Sequence, residues 1–202
     1  VALEVDAVPN WGHEDGKTLF CTGIPGAGKT ILSSTVIENI KTHIATNSPK
    51  EVRVVYLYCD YTDKKQSISQ FLFTLLGQIL EPLPSLSEII KAIYRDNRPV
   101  LPSIYDLSNA LTHVTSSLTS DSHSCIFFVI DVLDECTDRT RALLLIHLIR
   151  IQETSNVSLF LTTRLHIGFE KFKDAMTLEI AVHDADIERY VDKCLFELCK
   201  DV

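Results

Sequence analysis

Hydrophobic positions recur along this chain in two alternating patterns. Short, unbroken apolar runs are separated by longer stretches in which apolar residues return every three or four positions. The runs read as buried strands: residues 17–21, 52–59, 126–130, 157–163 and a shorter one at 176–180. Ile126 to Ile130 shows no alternation, as expected of a strand covered on both faces. The periodic stretches read as helices. Ile31, Leu32, Val36, Ile37, Ile40 and Ile44 follow the first strand at helical spacing. Ser67, with Gln70 three residues on, opens a helix carrying Ile68, Phe71, Leu72, Leu75, Leu76, Ile79 and Leu80, which Pro82 and Pro84 end. Ser85 with Glu88 repeats that signature ahead of Ile89, Ile90 and Ile93, and Ser103 with Asp106 precedes Leu107, Leu111, Val114 and Leu118. Leu143 to Ile149 belongs to a further helix, and Ile187, Tyr190, Val191, Cys194, Leu195 and Leu198 mark the last. Strands that alternate with helices predict a three-layer α/β fold. Its sheet is mostly parallel and five-stranded, with helices on both faces.

The turn between the first strand and its helix carries the chemistry. Gly23-Ile24-Pro25-Gly26-Ala27-Gly28-Lys29-Thr30 fits the P-loop (Walker A) pattern G-x-x-x-x-G-K-[ST] at every fixed position. The glycines let the backbone turn and approach an anion without Cβ in the way. Successive N–H groups then form a nest for phosphate oxygens, and the following helix aims its N-terminus at the same point. Lys29 supplies a charge for the β- and γ-phosphates, and the Thr30 hydroxyl can ligate Mg²⁺. Gly23 to Ile31 are thus the expected nucleotide-binding residues. Strand, glycine loop and helix stand in the order the motif needs, which separates it from a chance glycine-rich turn.

A second cluster closes the most apolar strand: Asp131-Val132-Leu133-Asp134-Glu135. A carboxylate at the carboxyl end of a core strand faces the ligand crevice of an open α/β sheet. Asp131 is placed to hold Mg²⁺, and Asp134 or Glu135 to polarise an attacking water. The plainer alternative is a solvated acidic turn. Arg164, just past the fourth strand, is placed either to sense the γ-phosphate or to form a surface ion pair. Asp60 and Asp63 read as turn formers, and Trp11 as a packing residue.

Composition narrows the rest. The chain has 202 residues, enough for one domain with a sizeable core. We take residues 1–16 as a lead-in and 17–202 as the domain. Because the chain opens on Val1 and not Met, we expect a piece of a longer protein. Its net charge of −8, without a basic run, argues against a nucleic-acid partner. No apolar stretch reaches the length of a membrane span. The six cysteines form no C-x-x-C pair and the seven histidines show no metal spacing, so we expect reduced thiols in a cytoplasmic protein.

With these residues in view, the chain resembles the NACHT domain of the signal-transducing STAND class of P-loop NTPases. It is most similar to the nephrocystin-like NACHT modules of filamentous fungi, found in ankyrin- or WD-repeat NLR-like and vegetative incompatibility proteins. The resembling stretches are Thr18 to Thr30, Val55 to Tyr61, Ile130 to Cys136 and Leu161 to Arg164. The spaced acids of Asp131-x-x-Asp134-Glu135-Cys136 discriminate best. The resemblance implies a domain that binds ATP (GTP in some members) with Mg²⁺. It implies a switch from a closed diphosphate state to an open triphosphate state that self-associates, with effector and repeat domains elsewhere in the protein. It gives Asp131 the Walker B role and Arg164 the sensor-1 role. Val132 stands where such domains more often carry Gly, Ala or Ser. The family's winged-helix region, whose histidine contacts the nucleotide, lies outside this sequence.

Three other functions compete with a slow ATPase switch. A nucleotide-binding scaffold without turnover shares every motif above. A small G-protein reads guanine with N/T-K-x-D, which the sequence lacks. A metabolic P-loop kinase needs an arginine-rich lid, and no Arg cluster lies between the two motifs.

Overall fold

The computed structural model describes residues 11, 16–63, 66–81, 102–120, 124–164, 172 and 175–180. The helices expected after Ser85 and over Ile187 to Leu198 lie outside these residues.

Five strands form one sheet: β1 (Thr18–Thr22), β2 (Glu51–Tyr58), β3 (Ser124–Asp131), β4 (Val157–Thr163) and β5 (Met176–Glu179). Their order is β2-β3-β4-β1-β5, and every pairing is parallel. The strands expected from apolar runs are all present, shifted by one or two residues at some ends. Among the described residues four longer helices lie between them: α1 (Lys29–Asn39), α2 (Ile68–Leu80), α3 (Ile104–Thr119) and α4 (Asp138–Thr154).

Topology explains which face each helix takes. From β1 the chain crosses by way of α1 to β2, at the far edge of the sheet. It then returns through β3 and β4. Right-handed crossovers running in opposite directions place their helices on opposite faces. Accordingly Leu32, Val36 and Ile37 of α1 pack on Leu19, Cys21, Phe127, Val129 and Phe160. The apolar residues of α2, α3 and α4 pack on Phe20, Val55, Leu57, Ile126, Phe128, Ile130, Leu159 and Leu161. The three-layer expectation holds, and among the described residues one helix layer is thicker than the other.

Helix ends follow local chemistry. Ser103 and Asp106 form a complete capping box at α3. At α2 the Ser67 side chain accepts from Gln70 N, the first half of the expected box. Thr137 caps α4 by accepting from Thr140 N. The helix after the P-loop departs from the uniform pattern expected of it. It widens into a π-turn over Ile40–Ile44 before a last helical turn at Ala45–Asn47. There the Thr42 and Thr46 hydroxyls donate to the carbonyls of Glu38 and Thr42, four residues back, at 2.8 and 2.6 Å. Such back-bonding competes with the regular ladder and distorts it.

Ile31 also departs from expectation. It is 64% exposed, while Lys29 and Ser33 are buried on the stripe with Leu32, Val36 and Ile37. The N-terminal end of α1 packs on the polar end of β3, so its inner face is polar there.

Candidate nucleotide-binding site

β1 ends at Thr22 and its backbone passes directly into the loop. Gly23 N donates to Thr163 O of β4 at 3.2 Å. A Cβ at Gly23 would meet Ile180 O at 2.9 Å and Ala27 Cβ at 3.1 Å, so only glycine fits. Gly26 and Gly28 turn the loop outward with φ of 83° and 92°. Ile24, Pro25 and Gly26 face solvent, while Ala27 anchors the loop in the α1 layer.

Lys29 is buried, and its ammonium is aimed back into the loop. Its Nζ donates to Gly23 O at 2.9 Å and to Ile24 O at 3.0 Å. The charge is thereby held over the centre of the nest. Gly28 caps α1 with no side-chain acceptor, and the first turn carries no acidic residue. An uncapped helix N-terminus leaves backbone N–H groups for an external anion.

Asp131 sits at the end of β3, 1% exposed. Thr30 Oγ1 donates to its Oδ2 at 2.6 Å, and Ser33 Oγ donates to Oδ1 at 2.6 Å. Thr162 Oγ1, from β4, donates to the same Oδ1 at 2.7 Å. A buried carboxylate is costly unless polar donors replace its water, and here three hydroxyls do so. The strand order creates this cluster. β4 lies between β1 and β3, so Thr162 reaches Asp131 from the next strand while Thr30 and Ser33 reach it from the helix above.

After Asp131 the chain turns sharply. Val132 adopts φ 53° and ψ 56°, and Leu133–Glu135 form one 3-10 turn. Asp134 and Glu135 then separate. Asp134 Oδ1 accepts from the backbone N of Arg164 at 2.9 Å, and its Oδ2 lies 2.6 Å from Arg164 Nε. Asp134 is largely enclosed by this contact, while the Arg164 side chain stays 55% exposed. Glu135 Oε2 accepts from Tyr61 N at 3.3 Å, in the loop after β2. That loop is shaped as expected of its acids: Asp60 Oδ1 accepts from Thr62 N and Thr62 Oγ1 at 2.8 and 2.7 Å. These bonds hold the Asp60 carboxyl below its usual range.

The structure thus brings Lys29, Thr30 and Asp131 to one point and sets Glu135 and the Asp134–Arg164 pair on its rim. Ser33 and Thr162 escaped the sequence reading. Ser33 carried a signal, because it lies one turn after Lys29 and three residues after Thr30 on the same helix face. Thr162 carried a weaker one, a polar residue that follows the apolar run Leu159 to Leu161 at the carboxyl end of β4.

The donor set suits Mg²⁺, a hard cation that takes one or two protein oxygens and completes its shell with water and phosphate oxygens. Thr30 and Asp131 supply such oxygens, and the open loop N–H groups suit the phosphates.

Glycine loop, buried carboxylate and strand order together define the α/β fold of P-loop NTPases. Within that class the chain belongs to the family described as Nephrocystin 3, N-terminal, which matches residues 2–164. No curated protein sequence matches it. Among solved structures, the Aeropyrum pernix ORC1 protein in complex with DNA is similar at 17% identity and a TM-score of 0.64, over 98% of this chain and 50% of that one. The Aeropyrum pernix ORC2 protein, in ADPNP–ADP complexes, is 12% identical at a TM-score of 0.55, over 92% of this chain and 50% of its own. Drosophila ORC bound to DNA gives 12% and 0.55, over 88% and 42%. These likenesses establish the fold. The chain spans about half the length of the two Aeropyrum pernix proteins.

Proposed function

We propose that this chain is the nucleotide-binding switch of a NACHT-type signalling protein, binding ATP or ADP with Mg²⁺ and hydrolysing ATP slowly. The observation that carries this reading is the 2.6 Å bond from Thr30 Oγ1 to Asp131 Oδ2, which joins the glycine loop to the acidic motif at one metal-competent point. The segment Gly23 to Ile31 cradles the phosphates with those of its backbone N–H groups that are not already engaged within the fold, and Lys29 leaves its loop carbonyls for the β- and γ-oxygens. Thr30 and Asp131 would hold Mg²⁺, which would supply charge neutralisation at the phosphates. Glu135 orients the attacking water. Of the two acids considered for that role Glu135 is preferred, because both oxygens of Asp134 face Arg164. Arg164, held by Asp134, senses the γ-phosphate from the rim.

The finer assignment is to a fungal NLR-like protein in the cytoplasm, with residues 17–202 as its NACHT domain. That domain self-associates, and effector and repeat domains lie elsewhere in the protein. Membrane and nucleic-acid partners are not part of this reading. Two solved neighbours are described with DNA, but a net charge of −8 disfavours a phosphate backbone here. Among the described residues no helix is long and apolar enough to cross a membrane.

The test is the affinity of the chain for ATP, ADP and GTP with Mg²⁺, beside Lys29→Ala and Glu135→Gln, followed by phosphate release. Lys29→Ala is expected to lose binding. Glu135→Gln is expected to bind normally but release phosphate about 10²-fold more slowly or worse. Unchanged affinity in Lys29→Ala would sink the proposal. Tight ATP binding with no phosphate release by the unaltered chain would select the second reading, a scaffold without turnover. That reading draws support from Glu135 being engaged by Tyr61 N. Preference for GTP over ATP would assign the site to a guanine nucleotide.

A further inference from the structure

The carboxyl end of β4 meets the site at three consecutive residues. Thr163 O accepts from Gly23 N of the glycine loop at 3.2 Å, and Arg164 N donates to Asp134 Oδ1 at 2.9 Å. Thr162, just before them, is fully buried and is bonded twice through its side chain. Its Oγ1 accepts from Val132 N at 2.7 Å and donates to Asp131 Oδ1 at 2.7 Å. A hydroxyl carries one proton, so the direction is fixed: the Val132 amide donates to Thr162, and Thr162 donates to the carboxylate. The two oxygens of Asp131 are therefore unequal. Oδ1 accepts from the Thr162 and Ser33 hydroxyls, while among the described residues Oδ2 accepts from Thr30 alone.

We propose that Thr162 is a positioning residue for Mg²⁺ binding, which anchors Asp131 through Oδ1 and leaves Oδ2 turned to Thr30 and the glycine loop. The role rests on the function proposed above. The last torsion of an Asp side chain is broad, with no sharp well of its own, so hydrogen bonds must set the plane of the carboxylate. Thr162 is suited to that task. β4 lies between β1 and β3, and Thr162 is in register with Cys21, so its backbone is held from the sheet interior. Its β-branched side chain is stiff at χ1, which fixes where the hydroxyl points. Ser33, from α1, supplies the second donor to the same oxygen. Because the Thr162 hydroxyl also holds the amide of the residue after Asp131, the carboxylate and the acidic turn are set by one group.

Removing the hydrogen-bond partner of a metal-binding side chain lowers metal affinity by about 10–100-fold. The loop amides and Lys29 reach phosphates without the metal, whereas Thr30 and Asp131 act through it. Loss of the Thr162 hydroxyl should therefore weaken the gain in nucleotide affinity that Mg²⁺ brings and spare the affinity without metal. A merely structural role would lower both together.

The experiment titrates the whole chain with ADP, in excess EDTA and over a series of Mg²⁺ concentrations, beside Thr162→Val, Thr162→Ser and Ser33→Ala. Thr162→Val keeps the shape of the side chain and removes only the hydroxyl. It is expected to need about 10–100-fold more Mg²⁺ for the same gain in ADP affinity, with its affinity in EDTA unchanged. Thr162→Ser should restore the gain, and Ser33→Ala should shift the Mg²⁺ requirement in the same direction as Thr162→Val. An unchanged Mg²⁺ requirement in folded Thr162→Val would overturn the proposal. So would an equal fall with and without metal, or a Thr162→Ser that restores nothing. If Thr162→Val does not fold, Ser33→Ala decides, because it removes the other donor to Oδ1 and leaves the Val132 amide paired; an unchanged requirement there overturns the proposal. If the unaltered chain binds no ADP, the functional reading falls and the positioning role with it. If it binds ADP with a gain from Mg²⁺ that every variant keeps, the positioning role alone falls.

Discussion

Val132 has the only positive φ among the described non-glycine residues. A left-handed conformation costs an L-residue roughly 1–2 kcal/mol, and a β-branched side chain sits there worst of all. Two hydrogen bonds hold it: Val132 N donates to Thr162 Oγ1 at 2.7 Å, and Glu135 N donates to Val132 O at 2.9 Å. The turn is required because the chain must leave β3 at Asp131 and still deliver Asp134 to Arg164 and Glu135 to the rim. The NACHT domains that the sequence resembles more often carry a small residue here, and a positive φ accounts for such a preference. We expect Val132→Gly to be neutral or to stabilise by up to about 1 kcal/mol, since strain relief offsets the lost side chain and the freer unfolded chain. Urea denaturation of the two proteins measures this, and a loss above about 2 kcal/mol would mean that packing outweighs strain. Residue identity alone flagged Val132 as unusual. That the cause is a positive φ is visible only in the folded backbone.

At the scale of elements, β2 poses the problem of a sheet edge. Among the described residues its outward N–H and C=O groups have no neighbouring strand, a condition that invites pairing with another chain. Helix α2 answers with a side chain. Gln78 Oε1 accepts from Tyr56 N at 2.9 Å, and Gln78 Nε2 donates to Tyr56 O at 2.9 Å. The carboxamide thus stands in for one residue of a missing strand. Gln66, just before the same helix, accepts from Asp60 N at 3.1 Å. Gln78→Ala leaves both groups of Tyr56 half-buried and unpaired, so a loss of about 1–3 kcal/mol is expected, with a greater tendency to self-associate. Denaturation and light scattering at raised concentration check the two effects. Unaltered stability would show that water replaces the carboxamide without loss. The apolar stripe of α2 was legible from spacing, since it faces an apolar layer throughout. The stripe of α1 was misread at Ile31, because one end of that helix packs on a carboxylate.

At the scale of the whole molecule, the described residues form two unequal layers on the sheet. The thinner layer, around α1, is completed from outside the sheet and its helices. Trp11 is fully buried there, with ring centroids 5.3 Å from Phe127 and 5.7 Å from Phe160, and its Nε1 donates to Lys17 O at 3.0 Å. The segment before β1 therefore contributes to the core beneath the nucleotide-binding strand. Trp11→Ala is expected to cost about 3–5 kcal/mol, and the chain's thermal midpoint reads that loss. A change near zero would mean that the thinner layer closes without it. By itself the sequence determined the strands, the alternation that makes the sheet parallel, the glycine loop and the acidic turn. Each of these is set by local physics: apolar periodicity, capping spacing, or the need for backbone free of Cβ. Only the tertiary structure decided that Ser33 and Thr162 share Asp131 with Thr30, and that Asp134 belongs to Arg164. Those partners are separated by up to 101 residues, and what joins them is strand order, which no local pattern encodes.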